Sequence, residues 1–230
     1  MTDIGIIGAM DIEVDALVAM LENHKTEKLS GVLFHTGKLS GKNVVIAKCG
    51  IGKVFAAICA ESMILKYSPS LIINTGVAGA LASGIKAGDV VIADRLLQHD
   101  MDTSALGDEK GLISGINRIY FEADERARGI LLEAAAELGL RASLGTVATG
   151  DKFIADKSEK KRIINDFHAA ACEMEGGAIA HTAFVNETPF AVIRAISDSA
   201  DEDSEMSYSE FLPLAAENSK KLTLALVGAY

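Results

Sequence analysis

The stretch "EGGAIAHTAFVNETPFAVIRAIS", residues 175–197, decides the fold. Its first part, 175–187, is an apolar helix opened by two glycines. Its second part, "FAVIRAIS" (190–197), is a short apolar run that reads as a strand buried on both faces. A helix leading directly into a buried strand is the building unit of α/β sheets. This strand also carries Arg194 inside it, and it ends on Ser197 and Asp198. Charged residues are seldom buried unless they are paired or at work. The strand end therefore marks a site as well as a core.

The same alternation extends through the chain. "DIGIIG" (3–8) reads as a buried strand, and "MDIEVDALVAMLEN" (10–23) places Val14, Leu17, Val18 and Leu21 at helical spacing. A hairpin is expected over 32–50, an apolar helix over 53–67, and β-branched strands over 70–76 and 89–94. Beyond them come an amphipathic helix over 124–139 ended by Gly139, a strand at 145–150 and a charged helix at 156–167. A last helix is expected to start at a capping box, Ser207 with Glu210, and to run to about Val227. The segment 95–121 has no clean period, which marks a functional loop or a contact surface. The fold class that follows is α/β: one three-layer αβα domain over residues 1–230, around a twisted, mixed, largely parallel sheet. There is no linker and no repeat.

Composition narrows the partners. A net charge of −10 on 230 residues argues against wrapping a nucleic acid or an anionic membrane, both of which need basic patches. The N-terminus lacks the basic and long apolar regions of a signal peptide, and no run approaches the ~18 apolar residues of a membrane span. Cys49, Cys59 and Cys172 are an odd number without C-x-x-C spacing, so buried free thiols and a cytoplasmic location are expected.

The notable polar residues fall at the C-terminal ends of expected strands, where open α/β sheets bind ligands. They include Met10 and Glu13, the run Asn74 to Gly79, Asp151 and Phe153, Glu173 to Glu175, and Ser197 with Asp198. The glycine turn "CGIGKVFAA" (49–57) fits neither a Walker loop nor a dinucleotide fingerprint, and close backbone packing explains it. "QHDMD" (98–102) lacks further ligands at metal spacing, so His99 reads as a hydrogen-bonded loop histidine and no metal is expected. "ADEDSE" (200–205) reads as a solvated acidic loop. In "CEMEGGAIA" (172–180) the helix N-terminus accounts for one acid, Glu175. It does not account for Glu13 and Asp198 ending strands in the same layer. Three carboxylates with one arginine point to acid–base chemistry on a polar substrate.

At this point the chain resembles a known family. "GIIGAMDIEV" (5–14), "SGVLFHTG" (30–37), "CGIGKVFAA" (49–57), "INTGVAGAL" (73–81), "GDKFI" (150–154), "CEMEGGAIAH" (172–181) and "VIRAISDSAD" (192–201) are similar to successive blocks of the bacterial 5′-methylthioadenosine/S-adenosylhomocysteine nucleosidases. The blocks stand in the right order over nearly the whole chain. The resemblance implies the nucleoside phosphorylase/hydrolase fold and hydrolysis of an N-glycosidic bond.

The resemblance further implies roles. Asp198 would protonate the purine at N7, with Ser197 orienting it. Glu13 would hold and activate water, with Arg194 nearby. Glu175 and the Met174 backbone would bind the ribose hydroxyls, in a wall that includes Glu173. Phe153 would stack on adenine and the Ile154 backbone would read its edge. Met10 and Ile51 would line the sugar side, and Val77, Ala78, Gly79 and Tyr208 the rest of the pocket. No cofactor is implied. A homodimer is, with loop 99–115 and its Leu106 reaching into the neighbour's site.

The chain also departs from the family pattern. Val77 stands where serine is usual, and Tyr208 where phenylalanine is. Leu106 and Asp108 replace the phenylalanine and tyrosine that would cover a 5′-alkylthio tail, and each lost buried methylene is worth roughly 0.8 kcal/mol. Other 5′-substituted adenosines, such as 5′-deoxyadenosine, therefore stand beside the leading substrates. A phosphorolytic relative is disfavoured because Glu13 occupies the place where phosphate would sit, and like charges repel. A non-catalytic nucleoside sensor would have little use for both Glu13 and Asp198.

Overall fold

The computed structural model describes residues 2–200 and 204–230, with side chains described outside 204–207. In chain order the elements are β1 Ile4–Gly8, α1 Asp11–Ala19, β2 Glu22–Leu29, β3 Val32–Leu39, β4 Lys42–Lys48, α2 Lys53–Tyr67, β5 Leu71–Ala80 and β6 Val90–Gln98. There follow a 3-10 turn at Ser104–Leu106, β7 Phe121–Glu122, α3 Glu125–Glu137, β8 Ala142–Thr149, α4 Lys157–Phe167, β9 Ala171–Glu173, α5 Gly176–Val185, β10 Phe190–Asp198 and α6 Ser204–Ala229.

Among the described residues the strands form one ten-stranded mixed sheet. β1 lies between β4 and β5 and runs parallel to both, as buried apolar strands in α/β proteins do. β10 pairs parallel to β5 and antiparallel to β6, while β9 pairs antiparallel to β5 and parallel to β8. With β6 parallel to β8, the hydrogen bonds run β5–β10–β6–β8–β9 and return to β5. The sheet therefore curls on itself at the end that carries the polar strand termini.

Helices cover both faces. On one face Val14 and Leu17 of α1, Leu131 of α3 and Leu222 of α6 pack over Ile4, Ile6, Ile73 and Ile193. On the other, Cys59 and Met63 of α2 and Ile179 of α5 pack over Ile7, Ile72 and Val192. Close approach of α2 needs Gly5, where a Cβ would collide with the Met63 sulfur. α4 adds Ile163 and Phe167 over Leu97 and Ala148. The side chains of Asp124 and Asp156 accept the first free amides of α3 and α4.

Two local expectations are corrected. The helix expected to Asn23 stops at Ala19, and 22–29 forms the edge strand β2. "ENHKTEKL" carries no apolar alternation because almost all of it is exposed, so its pairing with β3 left no period to read. The last helix starts at Ser204, three residues before the expected cap, so Ser207 lies within it; the Ser207 side chain is outside the described residues. Residues 201–203 of the acidic run also lie outside them. No helix among the described residues is long and apolar enough to cross a membrane.

Candidate active site

The end of β1 places the first acid. The chain leaves Gly8, turns through Ala9 and Met10, and enters α1, whose first turn carries Glu13 back over the strand end. Glu13 Oε2 accepts from the amides of Ala9 at 2.7 Å and Met10 at 3.0 Å, and Oε1 accepts from Val77 N at 3.2 Å. Burial pushes its pKa above the ordinary value, and Arg194 and the three amides pull it part of the way back. A carboxylate raised in this way, yet held by oriented donors, is suited to take a proton.

Arg194 lies beneath this acid in β10, fully enclosed. Its Nη2 donates to Glu173 Oε2 and to Asn74 Oδ1, and Asn74 in turn donates to the Ile7 carbonyl at 3.0 Å. Glu173 also accepts from Thr149 Oγ1, from Glu175 N at 3.0 Å and from Gly176 N at 2.6 Å. Arg194 and Glu13 flank Gly76: a Cβ there would sit 2.6 Å from Glu13 Oε1 and closer still to Arg194 Nη1. Only glycine leaves room for the two charges to approach. Burial opposes the Arg194 charge, but Glu173, Glu175 and Glu13 outweigh it and hold its pKa above the usual value.

Glu175 stands at the entry to α5, and its Oε1 accepts from Gly52 N at 2.9 Å. Burial and then the neighbouring Glu173 raise its pKa to about 7, against the pull of Arg194 and the Gly52 amide. The next amide, Lys53 N, donates to Asp151 at 2.8 Å. These two amides at the start of α2 are thus taken by the protein's own carboxylates, in keeping with a structural role for the glycine turn.

Asp198 is set by a bulge. β10 is in register with β5 up to Ile196 opposite Ala78, then skips Ser197 to bring Asp198 opposite Gly79. An extra residue in a strand re-aims the side chain that follows it. Asp198 Oδ2 accepts from Ser197 Oγ at 2.9 Å and Oδ1 from Ala200 N at 2.8 Å. A Cβ on Gly79 would lie 2.8 Å from that Oδ1.

These groups surround one cavity of about 530 Å3, its mouth included. Glu13, Glu173, Glu175 and Asp198 line it with Ser197, and Val77, Ala78 and Gly79 form a backbone edge. Met10, Ile51, Phe153, Met174 and Tyr208 supply the apolar wall. Phe153 and Tyr208 meet edge to face, ring centres 5.7 Å apart. Ile154 lies in an adjoining smaller lobe that shares Gly79, Phe153 and Asp198. Arg194 supports the cavity floor without lining it. Leu106 is not part of the lining and is 84% exposed.

Two lining residues were not named as site residues from the sequence, Ala9 and Cys172. Ala9 contributes an amide, for which a sequence carries no signal. Cys172 read as a buried thiol, and it is one; burial and then Asp198 drive its pKa far up, so it stays neutral. His99 is a buried loop histidine whose Nδ1 accepts from Arg162 at 3.2 Å. No cluster of three or more metal-ligating side chains occurs among the described residues.

The family model of the phosphorylase superfamily matches residues 3–228. A 5′-methylthioadenosine/S-adenosylhomocysteine nucleosidase of Shewanella halifaxensis is 40% identical over 226 residues, covering 97% of this chain and 98% of that protein. A crystal structure of the corresponding nucleosidase from Neisseria meningitidis, in complex with methylthio-immucillin-A, superimposes with a TM-score of 0.96 at 37% identity and full coverage of both chains. A futalosine hydrolase of Helicobacter pylori superimposes at 0.95 with 34% identity, covering 100% of this chain and 98% of that one. The chain belongs to the phosphorylase superfamily, among its 5′-methylthioadenosine/S-adenosylhomocysteine nucleosidases.

Proposed function

We propose that the protein hydrolyses the N-glycosidic bond of 5′-methylthioadenosine and S-adenosylhomocysteine, with Asp198 as general acid and Glu13 as general base. The observation that carries this reading is the set of carboxylates on one cavity: Asp198 beside Ser197 on one wall, Glu13 held by three amides on another. Breaking the bond between C1′ and N9 sends its electron pair to the purine and leaves positive charge on the ribose. Asp198 gives its proton to N7, so the base departs neutral. Water attacks C1′ and yields its proton to Glu13. The sum is one water consumed, with adenine and the 5-substituted ribose released.

The other groups follow from the charges that develop. Ser197 donates to Asp198 and orients it. Arg194, fixed by Glu173 and Asn74, moderates the field around Glu13. Glu175 and the Met174 backbone take the ribose hydroxyls, and an anionic Glu175 favours the cationic sugar. Phe153 stacks on the base, with the Ile154 backbone at its edge. Among the described residues of the larger lobe no lysine or arginine lines the wall. That favours water over phosphate as the nucleophile.

We also read the active form as a homodimer. α2 and α5 leave Val54, Phe55, Ile58, Phe184 and Val185 exposed on neighbouring helices, and apolar patches of this kind mark protein interfaces. A partner seated there would bring its 99–115 loop over the substrate tail. In that loop Asp108 accepts from Thr103 Oγ1 at 2.7 Å, so a polar turn stands where aromatic cover is usual. This observation favours the second reading, the same chemistry on an adenosine with another 5′ group.

Product analysis tests the assignment. Adenine and 5-methylthioribose should form from 5′-methylthioadenosine at a rate independent of phosphate. Formation of a ribose 1-phosphate only when phosphate is added would overturn it.

A further inference from the structure

Tyr208 lies in the first half of α6, half-buried at the rim of the cavity. Its ring meets Phe153 in a T-shaped contact, and its hydroxyl donates to the Met10 sulfur at 3.2 Å. The ring therefore spans the opening from the wall assigned to the base to the wall assigned to the sugar, with the hydroxyl at the sugar end. A thioether sulfur is a weak acceptor, so this bond is readily exchanged for one to an oxygen. Burial, and then Glu13, Asp198 and Glu175, keep the phenol protonated, so the group acts as a donor. Glu13, ionised as the base, repels an anionic tail. Leu106 and Asp108 remove apolar cover from the loop assigned to the tail, while Tyr208 adds a polar atom to the wall beside it.

We infer that the Tyr208 hydroxyl is a specificity-determining group that donates a hydrogen bond to a neutral oxygen on the 5′ side of the substrate, exchanging the Met10 sulfur for it. The inference rests on the nucleosidase reading of the site and deepens it. It sets 5′-oxygenated adenosines above their deoxygenated counterparts. A 5′-thioether gains nothing from the exchange, because it offers the hydroxyl the same kind of acceptor that Met10 does.

The test compares adenosine with 5′-deoxyadenosine, which differ by one oxygen, through the ratio of their kcat/KM values for adenine release. Tyr208→Phe keeps the ring and should lower that ratio about five-fold, the size of one neutral hydrogen bond. Met10→Leu keeps the volume and removes the competing sulfur, and should raise the ratio about two-fold. An unchanged ratio in both variants, or an equal loss on both nucleosides, overturns the inference alone. If Tyr208→Phe does not fold, the ratio in Met10→Leu decides by itself. If the wild type releases no adenine from either nucleoside or from 5′-methylthioadenosine, the reading of the site falls and the inference falls with it.

Discussion

Glu173 and Arg194 form an ion pair enclosed beneath the cavity, 21 positions apart in sequence and on different strands of the curled sheet. Each has further partners: Glu173 accepts from Thr149 and the amides of Glu175 and Gly176, and Arg194 donates to Asn74. The pair ties the start of α5 to β10 and so fixes Glu175 relative to Asp198. Breaking such a pair strands a buried charge, which costs about 3–5 kcal/mol. Glu173→Ala should lower the free energy of denaturant unfolding by that amount. A loss under about 1 kcal/mol would mean that the pair does not hold this end of the sheet together.

Glu175 gives the stability a pH dependence whose sign follows from its environment. In the folded protein it keeps its proton up to about pH 7, whereas the ordinary carboxyl releases it near 4.5. Between those values the folded state binds more protons, so stability is full at the acid end and declines as pH rises toward 7. The decline attributable to this group is about 3 kcal/mol. Glu13, also raised, adds to the same trend. Glu175→Gln keeps an acceptor for the Gly52 amide and removes the titration. Unfolding followed from pH 4 to pH 8 should show the variant gaining on the wild type as pH rises. Parallel curves would contradict the shift.

Asp198→Asn tests the acid. An asparagine Oδ1 still accepts from Ala200 N, so the bulge keeps that bond, but the side chain has no carboxyl proton to give. General acid catalysis contributes about a hundredfold to ten-thousandfold. Adenine release should fall within that range, with the loss in kcat and not in KM. An unchanged kcat would remove Asp198 from the proposed step.

Much of this arrangement was legible in the sequence because buried strands and the helices that follow them leave strong apolar periods. "FAVIRAIS" became β10 almost residue for residue, and the helix expected over 175–187 became α5, ending two residues early at Val185. The acids that line the cavity were legible because each ends or follows such a strand. The closing of the sheet was not, since pairing of β9 with β5 rests on two residue pairs near strand ends. Nor was the principal partner of Arg194. Its charge called for a carboxylate, and Glu13, Glu173 and Glu175 all stood in the same layer; only the folded side-chain geometry shows that Glu173 takes the direct contact. β2 was hidden for the opposite reason, as an exposed edge with no buried side to impose alternation.

The exposed apolar residues of α2 give the last prediction. Val54, Phe55 and Ile58 are 70%, 57% and 41% exposed, and they follow closely on Ile51, which lines the cavity. If a second copy covers them, its 99–115 loop completes the pocket over the substrate tail. Phe55→Asp places a charge in that interface without touching the cavity lining. In sedimentation the variant should be a monomer at micromolar concentrations where the wild type is a dimer. Its kcat/KM for 5′-methylthioadenosine should fall about ten-fold, the value of roughly two buried carbons at about 0.8 kcal/mol each. A monomeric variant with full activity would separate dimerisation from catalysis. A monomeric wild type would refute the homodimer itself.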